Sequence, residues 1–295
     1  TTSLDPVLHA RALALLGNAW LDSFEQAETY YRRSLEAAAR SGDGWQMAAM
    51  LGLGHITLQR GAYEETIAIA NEVLSRARAT DQPAAIAQAL LHTAHVLEQS
   101  GRPEDAFAVL AESRRWSHEL GDSGGIAWTE LIEARAYESL GDGARAAALF
   151  RTAVDRFEST GEPIGILLAQ LGLARALLDN DSDAAIDLLQ RAVSDLERVG
   201  DSYTVVDAIE TGAQVIAQSN PETALDLVSA TSAWRRVNGM QPGPARRRSI
   251  ERIGSATTQR LDPITAKQLR TRGENRSLRD ALNFLQAALV PAGAL

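Results

Sequence analysis

Polar side chains recur at one position along the chain, once in every repeat of about 40 residues, and most of them are ionisable. Two further carboxylates follow three residues after members of this series, which is one helical turn away. Imidazole, guanidinium and carboxylate groups on one surface suit an extended peptide or a small polar or anionic ligand. We call the set the polar column; it consists of His55, His95, Glu98, Arg135, Glu138, Arg175 and Gln214.

Two interpretations of the polar column stay open. In the functional one, stacked helices place these groups on one inner surface that binds a partner. Histidine occurs only five times in the chain, and two of the five fall in this series, which favours that interpretation. In the structural one, the column is a solvated face whose members pair with one another, Arg135 with Glu98 or Glu138.

Known catalytic and metal-binding patterns are absent from the sequence. There is no phosphate loop, His-Glu-x-x-His pair, Gly-x-Ser-x-Gly elbow or dinucleotide fingerprint, and Lys267 is the only lysine. His55, His92 and His95 share no nearby carboxylate at ligand spacing, so we expect hydrogen bonding from them in place of metal binding. We therefore expect a non-enzymatic protein without a cofactor or a metal site.

Composition limits the partners. The chain has 295 residues, no cysteine and a net charge of -9, so disulfides are excluded and a reducing cytoplasm is expected. No run of about 18 apolar residues suggests a membrane partner. Basic residues concentrate near the C-terminus, where Arg235, Arg236 and 246–248 either contact DNA or lie against an acidic neighbouring repeat. We favour the second interpretation, without direct nucleic-acid binding, because no stacking aromatics or DNA-reading motif accompany them.

The elements that position the column are helical hairpins. Residues 126–140 and 144–157 each show a period near 3.6, and a Gly-Asp-Gly break separates them. Similar breaks recur at 61, 101, 180 and 219. Small residues repeat with these breaks, which allows close helix packing. In the first helix of each hairpin, before the break, they are Gly54, Ala94, Ala134, Ala174 and Ala213. In the second helix, after the break, they are Thr66, Ala106, Ala146, Ala185 and Ala224.

This pattern of small residues, breaks and large apolar positions resembles the tetratricopeptide family over residues 8–237. The resemblance implies an all-α fold, a right-handed α-solenoid of about six tetratricopeptide-like hairpins with a period of about 40. It also implies that the polar column lines the concave groove, since that position of first helices does so in the family. We predict a repeat array over 1–240 and C-terminal capping helices over 241–295.

The C-terminal part suggests a narrower resemblance. Trp234-Arg235-Arg236, the Gln-Pro-Gly-Pro segment at 241–244, an Arg-rich helix and the stretch 273–282 are similar to the C-terminal sensor part of bacterial LuxR-type signal-transduction ATPases, with 290–295 as a linker. This implies a regulatory sensor region that binds a protein segment or small effector, next to ATPase and DNA-binding modules. The alternative is a stand-alone adaptor that scaffolds a protein complex. Homodimerisation, through a repeat face or the helix at 277–289, is a further hypothesis.

Overall fold

The chain folds entirely into α-helices in a computed structural model that describes residues 5–19, 23–39, 45–199 and 201–289. Fifteen helices and no strand occur within these ranges. The predicted all-α repeat fold is confirmed. The predicted linker at 290–295 lies outside the described residues.

The helices form six consecutive pairs, α1/α2 to α11/α12, followed by three C-terminal helices. Their bounds are α1 Pro6–Ala19, α2 Phe24–Ala38, α3 Trp45–Gln59, α4 Tyr63–Ala79, α5 Pro83–Gln99, α6 Pro103–Leu120, α7 Ser123–Leu140, α8 Gly143–Thr160, α9 Pro163–Leu177, α10 Ser182–Val199, α11 Ser202–Ile216, α12 Pro221–Val237, α13 Pro244–Gln259, α14 Pro263–Glu274 and α15 Leu278–Leu289.

The chain divides into two compact units. Unit 1 comprises Thr1–Gly125 and Asn238–Gln241, and unit 2 comprises Ile126–Val237 and Pro242–Leu295. The first residues of α7 belong to unit 1 and the rest of that helix to unit 2. The predicted division at residue 240 into an array and a cap stays a prediction.

Helix ends are set by residues that tolerate left-handed backbone. Six glycines with positive φ lie where helices end, and they include Gly101, Gly121 and Gly141. After α4, Asp81 takes the same conformation with a φ of 52°. Helix starts are capped in turn, as where the Asp262 carboxylate accepts hydrogen bonds from the amides of Ile264 and Thr265. The predicted breaks therefore mark real helix boundaries.

Close packing in unit 1 depends on the predicted small residues. Ala94 of α5 and Ala106 of α6 have no exposed surface. The Tyr31 ring of α2 fills the space left by Gly52 of α3, where a Cβ would overlap it. Tyr31 is itself buried, and its hydroxyl donates to Asn18 Oδ1 at 2.6 Å. Small first-helix residues thus accept large side chains from second helices.

The same arrangement recurs in unit 2. Phe150 of α8 is fully buried against Gly172 of α9, where a Cβ would overlap the ring. Phe157 packs in the same way against Gly165 and makes an edge-to-face contact with Trp128, with ring centroids 5.1 Å apart. Each buried aromatic ring of this kind contributes roughly 1.5–3 kcal/mol through its apolar surface.

The last two helices pack on unit 2. Arg272 of α14 and Arg276, which follows α14, both pair with the fully buried Asp226 carboxylate of α12. Helix α15 buries its apolar face, and Leu285 occupies the space above Gly212 of α11. Because the chain itself covers this face, the helix at 277–289 presents no exposed apolar surface for dimerisation. Dimerisation through a repeat face stays a prediction.

Candidate binding surface

Arg175 of α9 connects the polar column across three first helices of unit 2. Its guanidinium forms two hydrogen bonds to Glu138 of α7, from Nε to Oε1 at 2.7 Å and from the second amino group to Oε2 at 3.1 Å. It also donates to Asp207 Oδ1 at 3.2 Å and Thr211 Oγ1 at 2.9 Å, both on α11. The Arg175 side chain is only 6% exposed. Residues one repeat apart in sequence are therefore direct neighbours.

The ion pairs continue beyond the column to the C-terminal helices. Arg246 of α13 pairs with Asp207 and lies 3.4 Å from Glu210 Oε2. Arg235 of α12 forms two hydrogen bonds to the Glu210 carboxylate, at 3.0 and 3.2 Å. We call Glu138, Asp207 and Glu210 the carboxylate cluster; its guanidinium partners are Arg175, Arg235 and Arg246.

The electrostatics of Glu138 follow from these contacts. Burial raises the pKa of this carboxyl, but Arg175, then Arg246 and Arg135, stabilise the carboxylate more strongly. The net result is a pKa below the usual value for glutamate. Arg135 thus lies close enough to act on Glu138, which agrees with the structural interpretation of the column.

Helix α13 lies on the face of α11 that carries Gln214. The Ser249 hydroxyl donates to Gln214 Oε1 at 3.1 Å. Arg260, just after α13, donates to the carbonyl oxygens of Ala217 and Gln218 at 3.2 and 2.6 Å, which are free acceptors at the end of α11. Gln214 is consequently half-buried beneath a helix of its own unit.

The Arg-rich segment divides into buried and exposed parts. Arg246 is 20% exposed and faces the acidic residues of α11, as the favoured interpretation of the basic cluster predicts. Arg247 and Arg248, its neighbours in sequence, are exposed. Arg236 reaches Glu274 of α14 at 3.6 Å while remaining largely solvent-exposed. Only one arginine of the 246–248 run thus enters the carboxylate cluster.

In unit 1 the polar column consists of His55 on α3 and of His95 and Glu98 on α5. The two histidines are half-buried, and Glu98 is 5% exposed. The Gln99 amide donates to Glu98 Oε2 at 2.7 Å. Two imidazoles and one carboxylate therefore occupy the column positions of unit 1.

His92, one turn before His95, is the unusual histidine of unit 1. Its Nε2 is buried with no hydrogen-bond partner among the described residues. It lies against Gly54 of α3, where a Cβ would be 3.4 Å from this nitrogen. Burial, and secondarily the nearby His55, lower the pKa of His92 to about 4. Across the described part of the chain, no three His, Cys, Asp or Glu side chains are placed to share a metal ion.

Sequence reasoning missed two members of the carboxylate cluster, Asp207 and Glu210. A usable signal existed. Four residues before the column, the first helices have leucine at 51, 91, 131 and 171, whereas α11 has Glu210. A carboxylate in a register of leucines marks a position with special partners, which are Arg235 on α12 of the same pair and Arg246 on α13 beyond the repeats.

The structure thus brings Glu138, Arg175 and, through its charge, Arg135 together, and places Gln214 on the face of α11 that α13 covers. His55, His95 and Glu98 occupy the corresponding positions of unit 1. The binding role of all seven residues stays a prediction. No helix within the described ranges has the length and apolar character that crossing a bilayer requires.

Comparison with known proteins identifies the fold. No protein-family profile matches the sequence, and no curated protein is similar enough to it to count as a relative. Among solved structures, the chain is similar to a Rap protein crystallised in complex with competence and sporulation factor. The TM-score is 0.63 at 16% identity, over 92% of this chain and 78% of the Rap chain. The likeness supports a tetratricopeptide-like helical-repeat fold.

Proposed function

We propose that this chain is a non-enzymatic, protein-binding repeat scaffold that holds an extended protein segment along the inner faces of its first helices. The observation that carries the proposal is the contact of Glu138 with Arg175 at 2.7 Å across neighbouring first helices. It supports the idea that the first helices stack with their column positions in sequence, as a groove for an extended chain requires.

The chemistry of the surface suits a peptide backbone and polar side chains. In unit 1, His55 and His95 offer half-buried imidazole groups. In unit 2, Arg135 lies at the edge of the ion-pair cluster and is half-buried, so its guanidinium is placed to meet a partner carbonyl or carboxylate. Each unit carries polar column residues of its own.

The similar solved structure adds a second line of support. The Rap protein was crystallised with competence and sporulation factor, so a protein of this fold holds another molecule. The likeness does not extend to sequence, at 16% identity, and the partner of this chain is therefore sought without reference to that factor.

A peptide selection with paired variants tests the proposal. A displayed library of random peptides is selected on the full chain, and enriched peptides are measured against His95→Ala/Arg135→Ala. The matched control is His118→Ala/Arg151→Ala, which removes the same residue types from exposed positions on the second helices α6 and α8. We expect at least about tenfold weaker binding for the column variant alone, the loss of one or two charge-assisted hydrogen bonds.

Two results would contradict the proposal. One is a library that yields no peptide for the full chain. The other is a set of enriched peptides whose affinities fall equally in both double variants, or in neither, since the binding surface would then lie away from the polar column.

We further propose, as a narrower hypothesis, that this scaffold is the sensor region of a transcription-related ATPase and works in the cytoplasm. Its support is the C-terminal resemblance carried by Trp234-Arg235-Arg236 and residues 241–244 and 273–282. Sequencing the reading frame on both sides of the chain tests it. A phosphate-loop ATPase module upstream or a helix-turn-helix downstream supports the sensor role, and close start and stop codons favour the stand-alone adaptor.

A further inference from the structure

Helix α13 is held on unit 2 by a small apolar contact and by several polar ones. Only Ile253 and Thr257 of this helix are buried. Ile250 adds a half-buried apolar contact with the core of the unit. The polar attachments are the Arg246 ion pairs, the Ser249 hydrogen bond to Gln214, the donation from Arg260 to the end of α11 and the donation from Arg270 of α14 to the Thr258 hydroxyl. In contrast, the shorter α15 buries four apolar residues. A helix with so little buried apolar surface requires little free energy to open locally.

Arg246 fits its surface in a way that depends on the guanidinium. It bridges Asp207 and Glu210. Arg175 also pairs with Asp207, and Arg235 also pairs with Glu210. Without Arg246, each carboxylate keeps one guanidinium partner and loses the other. The planar fork of arginine can satisfy two carboxylates at once, whereas the single ammonium of lysine matches this geometry poorly.

We propose that α13 is an internal occupant of a surface that receives an arginine-containing protein segment, and that α13 must leave before the segment binds. The proposal rests on the proposed function and deepens it, since it names the class of partner for unit 2 and a device that controls access. Arg246 acts as the internal counterpart of the partner's arginine. Gln214 and the carbonyl oxygens of Ala217 and Gln218 become available to the incoming segment when α13 departs.

Competition between α13 and a copy of itself tests the proposal. The probe is a fluorescent peptide with the sequence of residues 244–260, measured by anisotropy against the full chain at physiological salt. The protein variants are Arg246→Gln and the matched control Arg248→Gln, which makes the same change at an exposed position of the same helix. We expect the peptide to bind Arg246→Gln at least about tenfold more tightly than the unaltered chain or the control, because its internal competitor is weakened.

Peptide variants establish what the surface recognises. A peptide carrying Arg246→Gln or Arg246→Lys, and a scrambled peptide of the same composition, should bind the Arg246→Gln chain at least about tenfold more weakly. Affinities within about threefold of one another across the protein variants, or across the peptide variants, overturn the proposal. Such a result would mean that α13 is a permanent part of the unit or that binding depends on net charge alone.

A second protein variant covers the case in which Arg246→Gln fails to fold. Ser249→Ala/Arg260→Gln removes two further polar attachments of α13 and leaves the carboxylate cluster and the Arg270–Thr258 hydrogen bond intact. It should also raise peptide affinity, and no change overturns the proposal. This experiment is independent of the library selection. Foreign peptides that bind through His95 and Arg135 while α13 stays fixed would refute only this inference, and α13 exchange without foreign peptides would refute only the proposed function.

Discussion

Replacing His92 by leucine should remove a defined part of the acid sensitivity of unit 1. The imidazole has a pKa of about 4 in the folded chain against an ordinary value of 6.5, chiefly because it is buried. Between these values the unfolded chain binds a proton that the folded chain does not. The His92 imidazole therefore does not lower the free energy of unfolding above about pH 6.5, and it lowers that free energy progressively as the pH falls towards 4.

The size of the effect follows from the two pKa values. Linkage between about pH 7.5 and pH 5.0 gives a loss of about 2 kcal/mol from this one group. Leucine does not titrate, so the stability difference between the His92→Leu and unaltered chains should change by that amount across the window. At neutral pH the substitution should be close to neutral, since it removes a buried nitrogen that has no hydrogen-bond partner among the described residues.

Urea unfolding followed by circular dichroism at several pH values measures this difference. His118→Leu is the control, because His118 is an exposed histidine of α6 in the same unit. The control should keep the pH dependence of the unaltered chain. If the stability difference between His92→Leu and the unaltered chain stays constant within about 0.5 kcal/mol from pH 7.5 to 5.0, the buried, neutral state assigned to His92 is wrong.

Two further predictions concern unit 2. Arg175→Met should destabilise the unit by roughly 1–3 kcal/mol, because it removes both hydrogen bonds to the Glu138 carboxylate and leaves Asp207 with Arg246 alone; Arg191→Met, at an exposed site of α10, should have little effect when both are compared by thermal unfolding. Gly273→Ala should lower the unfolding temperature, since a Cβ would overlap the backbone oxygen of Asp226. Gly254→Ala in α13, where a Cβ meets nothing within 4 Å, should leave it unchanged or raise it. Equal effects within either pair would refute the corresponding packing argument.

Much of the fold was predictable because it repeats. A glycine or aspartate at many helix stops and a small residue at the helix crossings are local requirements, so they recur at a fixed spacing and survive in a single sequence. Ala134, Ala174 and Ala213 are accordingly all fully buried. Neighbouring first helices also bring together residues one repeat apart, and Arg175 meets Glu138 in the same register relation that was predicted for Arg135 and Glu98.

The remaining part of the candidate surface was not predictable from periodicity. Arg246 meets Asp207 through the return of α13 onto α11, and no repeat specifies that path. The same holds for Asp226, which is fully buried and paired with two arginines from a region without internal symmetry. Glu210 stands at a register position that is leucine in four other first helices, which indicates that it has a charged partner. Only the fold identifies that partner as Arg235 together with Arg246.

The most direct measurement is hydrogen exchange of the full chain with and without a peptide obtained from the library selection. The account predicts slower exchange on the first helices that carry the polar column, α3, α5, α7 and α9, and faster exchange on α13 if the peptide contains the arginine that replaces Arg246. Protection confined to the second helices α4, α6 and α8 would contradict the central claim, because the partner would then bind the opposite face of the repeats.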